Sequence, residues 1–442
     1  MRPDWRAELM PTSRTPSTGS RHSPRRSPAT APTHADLAAA AAPPLVDADW
    51  FAARTIAHAA GGRVGSGVEE VALAASAGRT LAVDVVARGN MPGFSSSAMD
   101  GWAVAGDGPW LLGPAITAGT VGIAATLGDH TGRPIATGAM IPPGTRAVLR
   151  SEHGVVTATA RGPLLSVAGR AGAGQPVDGA HIRVEGEEVA AGSLLVRAGT
   201  VLTPARLALA AAGGTDAVVV RLRPRVRFVV LGDEIVGEGV AIPGLVRDAF
   251  GPQLPALLES LGLRATGMRH VGDSLDLTIR ALGTGDSELV VVTGGSSRGA
   301  TDHARSALLA CGGSVLVDGV AMRPGHPVIL GRLGDGRLVL CLPGNPAAGM
   351  LAFLSLGLPL VDGLLGRPLA ALGSETASVP VAGAGHGVRL VAATVADGRA
   401  TPCDKQSPAM LIGLAAADTV LVVPHDGVAA GDRVPALRPP WA

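Results

Sequence analysis

Residues 224–368 alternate between short runs of β-branched residues and longer segments with helical periodicity. Parallel strands need crossover connections of a dozen or more residues, and these connections are usually helices. The alternation therefore predicts an α/β domain with a mostly parallel, doubly wound sheet. The predicted strands are 226–231, 264–269, 289–293, 315–317 and 338–342, and the predicted helices are 245–261, 274–282 and 302–310.

The chain before this α/β region has a different pattern. Residues 1–44 are rich in Pro, Ser, Thr, Ala and Arg, a composition that predicts a disordered tail. The pattern then becomes helical, with Asp47 as the predicted N-cap, and a second helix is predicted at 68–77. Short apolar runs between Gly, Pro and Asp turns predict a β-rich module at 89–184.

Three further segments complete the predicted organisation. Residues 185–222 predict turns and a helix that Pro204 opens, and the Val-rich residues 371–442 predict a small terminal β domain. The uncharged stretch 338–361 is long enough to span a membrane, but its repeated Pro and Gly favour a strand, a turn and a short helix. Since no apolar targeting segment is visible, we expect a cytoplasmic protein without a membrane partner.

Charge balance and the scarcity of lysine limit the chemistry of any site. The 37 basic and 36 acidic residues nearly cancel. This argues against nucleic acid as a partner, because nucleic-acid-binding domains usually carry a basic excess. Lys405 is the only lysine in the sequence, so a cationic site must use Arg or His. The three Cys are far apart and lack CxxC spacing, which predicts neither a disulfide framework nor a zinc site.

Glycine-rich and acidic segments follow three of the predicted strands, at 232–234, 293–299 and 342–346. Parallel sheets bind their ligands at this end of their strands. The glycines at 293–299 allow successive backbone N–H groups to form an anion site, and Arg298 adds charge to it. We therefore predict a phosphate-binding loop with Mg²⁺ held beside it by carboxylates. The metal candidates are Asp233, Glu234 and Asp302.

Simpler roles remain open for the same acidic residues. Asp302 could instead cap a helix, and Asp233 and Glu234 could instead be exposed residues of a surface loop. Common nucleotide and hydrolase motifs do not fit, since the sequence contains no GxxxxGK[ST], no GxSxG and no HExxH, and no GxGxxG follows the first predicted strand.

Several segments together resemble the MoeA family, the molybdopterin molybdenumtransferases that include the gephyrin E domain. The most specific matches are SAMDG at 97–101 and LPGNP at 342–346. MRPGHP at 322–327 resembles the family's MKPGKP, and 293–302 resembles TSGGVSVGxxD with one residue missing. The resemblance covers about residues 45–442 in order. Further matching segments are 91–94, 137–148, 185–188, 232–234 and 406–415.

The resemblance implies an elongated four-part protomer that forms a homodimer. In this family the sites lie between the α/β domain of one protomer and an inserted module of the other. The implied parts are a linking and dimerisation domain at 45–88 and 185–222, an inserted β-rich module at 89–184, a molybdopterin-binding α/β domain at 223–370 and a C-terminal β-barrel at 371–442.

The implied activity is a step of molybdenum cofactor biosynthesis. A Mg²⁺-dependent transferase inserts molybdate into adenylylated molybdopterin and releases AMP. Molybdate and adenylylated molybdopterin are therefore the expected substrates. The molybdopterin adenylyltransferase is a further expected partner. The alternative is a divergent, non-catalytic MoeA-like paralogue that binds molybdopterin or a partner protein, and the missing loop residue and His326 motivate it.

The resemblance also implies roles for individual residues. Arg323 keeps the charge of the family's first MKPGKP lysine with a different geometry. His326 replaces the second lysine, and a structural role is its alternative because an unperturbed imidazole is mostly neutral at pH 7. Catalytic roles are implied for Asp100, Thr137, Glu188, Glu234, Asp302, Arg323 and His326, and metal binding for Asp233, Glu234 and Asp302. Substrate binding is implied for Thr293, Gly294, Gly295, Ser296, Ser297, Arg298, Gly299, Pro343, Gly344, Asn345, Pro346 and Ser407.

Overall fold

The computed structural model describes residues 47–120, 122, 125–168, 176–297 and 302–442. The tail predicted at 1–44 lies outside these residues. The described elements up to residue 222 are helices α1 (Trp50–Val64) and α2 (Pro204–Ala212), and strands β1 (Val68–Ala72), β2 (Val85–Val86), β3 (Ser96–Ser97), β4 (Gly101–Val104), β5 (Trp110–Leu112), β6 (Thr131–Ile135), β7 (Ala147–Arg150), β8 (Gly154–Thr159), β9 (Gly162–Val167), β10 (Ile182–Arg183), β11 (Leu194–Val196) and β12 (Ala217–Arg221).

Helix α1 begins two residues later than the predicted cap would place it. The carboxylate of Asp49 accepts hydrogen bonds from the N–H groups of Phe51 and Ala52, both at 3.0 Å. Asp49 is therefore the N-cap, and the assignment of this role to Asp47 was wrong. The reason is geometric, since a capping side chain must reach the second or third N–H of its own helix.

The prediction of a helix at 68–77 was also wrong. Residues 68–72 form strand β1, which pairs antiparallel with β12, and a 3-10 turn at Leu73–Ala75 follows. Pairing with a distant strand overrides a weak local preference here. Helix α2 agrees with the prediction, because Thr203 caps it and Pro204 occupies its first turn.

A six-stranded sheet lies within the region predicted as a β-rich module, 89–184. Its strand order is β7-β4-β6-β5-β9-β8, antiparallel except for the β5–β6 pair. Trp110 and Leu165 are fully buried in this module, together with Val104 and Leu149.

The second half of the described chain contains the predicted α/β sheet and a barrel. Its helices are α3 (Phe250–Ser260), α4 (Leu275–Gly283), α5 (Ala304–Ala310), α6 (Pro346–Ala352), α7 (Leu358–Leu364) and α8 (Ile412–Ala415). Its strands are β13 (Arg225–Leu231), β14 (Ile235–Val236), β15 (Val246–Arg247), β16 (Arg264–Val271), β17 (Leu289–Thr293), β18 (Ser314–Asp318), β19 (Met322–Arg323), β20 (Ile329–Arg332), β21 (Leu338–Leu342), β22 (Gly373–Ala377), β23 (Val388–Ala396), β24 (Arg399–Pro402), β25 (Thr419–Val423) and β26 (Arg433–Leu437).

The α/β sheet has the strand order β16-β13-β17-β21-β20-β18. Strands β16, β13, β17 and β21 are parallel, and β20 and β18 form an antiparallel edge. Alternate residues of β17 enter different cores: Leu289 and Val291 pack with α3, α6 and α7, while Val290 and Val292 pack with α4 and α5. The prediction of a mostly parallel, doubly wound sheet is therefore confirmed.

Helix α3 is shorter than the predicted helix at 245–261, because residues 246–247 form strand β15. Helices α6 and α7 are continuous through a π-turn at Phe353–Gly357. Among the described residues, Pro346–Leu364 is the one helix long and apolar enough to cross a membrane, and 89% of its most apolar window is buried inside the protein.

The C-terminal strands close into a five-stranded barrel. The order runs β23-β24-β22-β26-β25, and β25 pairs back to β23. Strand β19, from the α/β region, adds to β23 in parallel and places Arg323 opposite Arg389. The predicted terminal β-barrel is confirmed, and this pairing joins it to the α/β region.

Candidate functional site

The predicted ligand-binding strand ends meet at one edge of the sheet. Strands β13, β17 and β21 are neighbours and parallel, so the segments that follow them lie side by side. They surround a cavity of about 490 Å³, which we call the strand-end cavity. Among the predicted residues, its lining includes Glu234, Thr293, Gly294, Gly295, Ser296, Ser297, Asp302, Gly344, Asn345 and Pro346.

The glycine loop after β17 has a backbone that requires glycine. Gly294 and Gly295 have φ of 85° and 62°, and a Cβ at Gly294 would lie 2.8 Å from the carbonyl oxygen of Leu231. Oδ1 of Asp302 accepts a hydrogen bond from the Ser297 N–H at 3.1 Å. Asp302 therefore ties the loop back on itself, and helix α5 begins two residues later without a side-chain cap. The predicted Arg298 and Gly299 lie outside the described residues.

The three predicted metal ligands are only partly brought together. Glu234 and Asp302 line the strand-end cavity, whereas Asp233 is not among the described lining residues. A Cβ at Gly272 would lie 2.3 Å from Oδ1 of Asp233, so this carboxylate lies against that loop. Within the described ranges, no group of three or more His, Cys, Asp or Glu side chains is arranged to hold a metal ion.

Two further acids line the strand-end cavity, and neither was predicted as a site residue. Asp273 follows the edge strand β16. Asp248 is 6% exposed, and its Oδ1 accepts hydrogen bonds from the N–H groups of Phe250 and Gly251, both at 2.9 Å. Its Oδ2 is 3.0 Å from Nε2 of His270. The Asp248 carboxylate thus fixes the start of α3 at the wall of the cavity.

A second cavity, of about 730 Å³, lies between the α/β region and the barrel. Its lining includes Arg323 and His326 from one side and Arg389 from the other, and no acidic residue is among its described lining. We call it the cationic cavity. It shares the lining residues Ser297, Gly344 and Asn345 with the strand-end cavity, so the two cavities are adjacent.

The barrel contributes to the cationic cavity through the segment after β24. Gln406 lines the cavity, and its Oε1 accepts a hydrogen bond from the Ala392 N–H at 2.7 Å. Pro408 also lines it, and the Pro408 carbonyl accepts a hydrogen bond from Ala348 at the start of α6. The predicted Ser407 lies between them, is exposed, and is not among the described lining residues. The predicted Pro343 is part of this lining.

His326 does not stand alone in the cavity wall. Its Nε2 lies 2.9 Å from Oδ1 of Asp47, the residue first assigned to a helix cap. His326 also lines a third cavity of about 280 Å³, which we call the small polar cavity. Arg305 and Asp318 form an ion pair in the lining of this third cavity.

The predicted site residues outside the α/β region make two separate contacts. Oδ1 of Asp100 accepts hydrogen bonds from the Thr137 N–H at 2.7 Å and from the Thr137 hydroxyl at 2.9 Å. Glu188 forms an ion pair with Arg183 at 3.3 Å. None of these residues is among the described lining of the three cavities of the same chain.

The contact with Thr137 sets the ionisation of Asp100. The backbone N–H of Thr137, and secondarily its hydroxyl, lower the pKa of the Asp100 carboxyl. A lowered pKa in the folded state means that the contact stabilises the fold above the pKa of the unfolded chain. That contribution is lost as the pH falls through the folded pKa.

We expect Thr137→Val to raise the pKa of Asp100 part of the way to its ordinary range, because the backbone donor remains. Carboxylate ¹³C NMR titration would measure this. The matched control is Thr157→Val on exposed strand β8, which should leave the Asp100 titration unchanged. An unchanged titration in Thr137→Val would show that the hydroxyl does not act on Asp100.

Comparison with known proteins matches most of the described chain. A family model for the MoeA N-terminal region (domains I and II) matches residues 48–214, and a probable molybdopterin binding domain matches 227–363. Molybdopterin molybdenumtransferase 2 of Mycobacterium tuberculosis is 34% identical over 301 residues, which cover 64% of this chain and 72% of that protein. The molybdopterin molybdenumtransferase of Staphylococcus aureus is 31% identical over 312 residues, covering 67% and 71%.

A solved structure is similar over nearly the whole described chain. The molybdopterin biosynthesis MoeA protein of Pyrococcus horikoshii gives a TM-score of 0.69 at 25% identity, covering 89% of this chain and 99% of that chain. The first family model contains Asp100 and Thr137, and the second contains Glu234, Asp302, Arg323 and His326. Arg389 lies outside both matched ranges.

Proposed function

Because the chain belongs to the MoeA family of molybdopterin molybdenumtransferases, enzymes of molybdenum cofactor biosynthesis, we propose that it inserts molybdate into adenylylated molybdopterin and releases AMP. The observation that carries this proposal is that two chemically different cavities are adjacent and share Ser297, Gly344 and Asn345 in their lining. A glycine-rich, acid-lined cavity suits a phosphate ester with a cation, and the acid-free cationic cavity beside it suits a dianion.

In the proposed reaction the strand-end cavity holds the phosphates of adenylylated molybdopterin. The backbone N–H of Gly295 and the residues Thr293, Ser296 and Ser297 offer hydrogen bonds to phosphate oxygens, whereas the Gly294 N–H donates to the Leu342 carbonyl at 3.0 Å and holds the loop against β21. Fixed donors of this kind stabilise the charge that develops as AMP leaves. Arg298 and Gly299 of the same segment are also proposed to contact the substrate. The turn after β21 is proposed to contact it through Pro343, Gly344, Asn345 and Pro346.

The carboxylates of this cavity fit a Mg²⁺ ion that is held mainly by substrate. Mg²⁺ usually takes one or two protein carboxylates and completes its shell with phosphates and water. Glu234 and Asp302 would hold it, and Asp233, which lies against Gly272, stays outside this proposed set. The ion would neutralise phosphate charge when bound. The positions of the Glu234 and Asp302 carboxylates would determine where a bound cation lies relative to the glycine loop.

Molybdate is the proposed occupant of the cationic cavity. Arg323 and Arg389 are register partners on paired strands and both line the cavity, and Nη1 of Arg389 donates to the Ala382 carbonyl at 2.9 Å. A guanidinium offers several N–H donors in a fixed plane, which suits a tetrahedral oxyanion. His326 supplies the third basic group. The proposed role of Ser407 is to support this wall from the segment that carries Gln406.

A second copy of the chain is the proposed source of the remaining groups. Asp100, Thr137 and Glu188 are exposed and do not line the cavities described for their own chain, which supports a site completed across a homodimer. The proposed division assigns 45–88 and 185–222 to the dimer-forming part, 89–184 to the module facing the partner, 223–370 to the molybdopterin-binding domain and 371–442 to the barrel. The proposed setting is the cytoplasm, with the adenylyltransferase as a delivering partner.

The experiment is direct. Purified protein with adenylylated molybdopterin, molybdate and Mg²⁺ should release AMP, and omission of molybdate should reduce that release. The second candidate, a non-catalytic paralogue, is favoured by His326 in place of a lysine. It predicts tight binding of adenylylated molybdopterin, measured by equilibrium dialysis, without AMP release. If the protein neither binds adenylylated molybdopterin nor releases AMP, while a homologue is active in parallel, both candidates are excluded.

A further inference from the structure

We propose that Asp47 is a positioning residue that holds His326 as the third anion-binding group of the cationic cavity. The inference rests on the proposed function, because it assigns to that cavity the binding of molybdate. The two residues are 279 positions apart and come from different elements, yet Nε2 of His326 lies 2.9 Å from Oδ1 of Asp47. The side chain of Asp47 is 24% exposed and that of His326 is 48% exposed.

The residue that follows Asp47 is bound to the Gly319 loop. The next residue, Ala48, forms a parallel bridge with Val320: its N–H donates to the Gly319 carbonyl at 3.1 Å, and its carbonyl accepts from Ala321 at 2.9 Å. Because Asp47 directly precedes this bridge, its backbone lies beside the Gly319 loop and its carboxylate is within hydrogen-bond distance of the histidine ring.

Gly319 makes room for the pair. Its φ is 82°, a region that favours glycine, and a Cβ there would lie 2.9 Å from Oδ1 of Asp47 and 3.6 Å from Nε2 of His326. The same loop therefore both anchors Ala48 and leaves open the space in which the carboxylate meets the ring. The arrangement is a built contact rather than a chance surface pair.

The pairing determines which ring nitrogen is available to a ligand. With Nε2–H donating to Asp47, Nδ1 is the nitrogen left for the cavity. Nδ1 can donate to an anion only when the imidazole is protonated at both nitrogens, and the carboxylate then balances the positive charge. Of the residues described around His326, Arg323 and Arg389 line the cationic cavity, while Arg305 and Asp318 are paired with each other in the small polar cavity. Asp47 is thus the carboxylate that pairs with the ring.

This role explains how histidine can serve at a position where the resembling motif has lysine. A lysine carries its charge without help, whereas a histidine depends on its surroundings for both orientation and charge. A test follows from this difference: loss of Asp47 should matter when residue 326 is His and should not matter when residue 326 is Lys.

The experiment measures molybdate binding to the full chain by calorimetry, with molybdate alone as the probe. We expect Asp47→Ala to weaken molybdate binding about tenfold, the scale of one charge-assisted hydrogen bond. In the His326→Lys background, Asp47→Ala should change the dissociation constant less than about twofold. The matched control is Asp49→Ala, which removes the helix cap beside Asp47 without touching His326 and should leave binding unchanged.

Three results would overturn the proposal. An equal loss in the His326→Lys background, or an equal loss in Asp49→Ala, would assign Asp47 a purely structural role. If the unmodified protein does not bind molybdate, the cationic cavity is not a molybdate site. Because binding is measured without adenylylated molybdopterin, a protein that binds molybdate but releases no AMP would contradict the proposed reaction and leave the Asp47 result intact.

Discussion

Replacing Glu234 by Gln is expected to lower the rate of AMP release by about 10²–10³-fold. Glu234 follows strand β13, which pairs with β17, and lines the strand-end cavity beside the glycine loop. Glutamine keeps the size of the side chain and removes the negative charge, so the loss reports the electrostatic role alone. The measurement is the AMP release rate at saturating substrates, with the Mg²⁺ concentration for half-maximal rate as a second readout.

Two neighbouring acids provide the comparison for this variant. Glu238→Gln changes an exposed acid outside the described cavity lining and should leave the rate unchanged. Asp233→Asn should cost less than about tenfold, because that carboxylate lies against Gly272. A rate near that of the unmodified protein in Glu234→Gln would contradict the assignment. Equal losses at 233 and 234 would mean that Asp233 turns into the cavity during the reaction.

The sheet and its ligand-binding edge could be predicted from sequence because their signals are local. A strand such as 289–293 is almost purely β-branched and is bounded by turn residues, so its type and its bounds are both visible. Parallel strands also carry their loops to one edge by a general rule. The strand-end cavity follows from these two facts.

The cationic cavity could not be predicted in the same way. Arg389 carries no motif, and it reaches the cavity only because β19 pairs with the barrel strand β23. The contact between Asp47 and His326 depends on a bridge between residues 48 and 320. Such long-range pairings leave no periodic trace in the sequence. The expectation that cationic sites use Arg and His nevertheless agrees with the cavity, whose basic lining residues are Arg323, His326 and Arg389.

The error at Asp47 arises from a tertiary contact of helix α1. Asp47 and Asp49 are both good capping residues, and the choice between them depends on where the helix meets the core through Trp50. Trp50 is fully buried, and its Nε1 donates to the Ser355 hydroxyl at 3.0 Å. That tertiary contact sets the first residue of α1, and it frees Asp47 to reach His326.

The long apolar helix formed by α6 and α7 is explained by its close packing against α1. A Cβ at Gly61 of α1 would lie 2.2 Å from the Leu360 carbonyl oxygen, and a Cβ at Gly363 of α7 would lie 2.1 Å from that of His58. The two backbones touch at these glycines. The apolar composition of the helix therefore reflects its position in the core of the protein.

This crossing makes neighbouring glycines behave in opposite ways. Alanine is favoured over glycine inside a helix by about 1 kcal/mol, and this applies to both Gly61 and Gly62. At Gly62 a Cβ meets nothing within 4 Å, so Gly62→Ala should raise the free energy of unfolding by up to about 1 kcal/mol. At Gly61 the Cβ would collide with the backbone of α7, which cannot rotate away. Gly61→Ala should therefore lower the free energy of unfolding by about 2 kcal/mol or more. Urea unfolding, followed by tryptophan fluorescence, measures both changes. Similar unfolding free energies for the two variants would show that α1 and α7 can separate at this crossing without cost, against the packing described for Gly61 and Gly363.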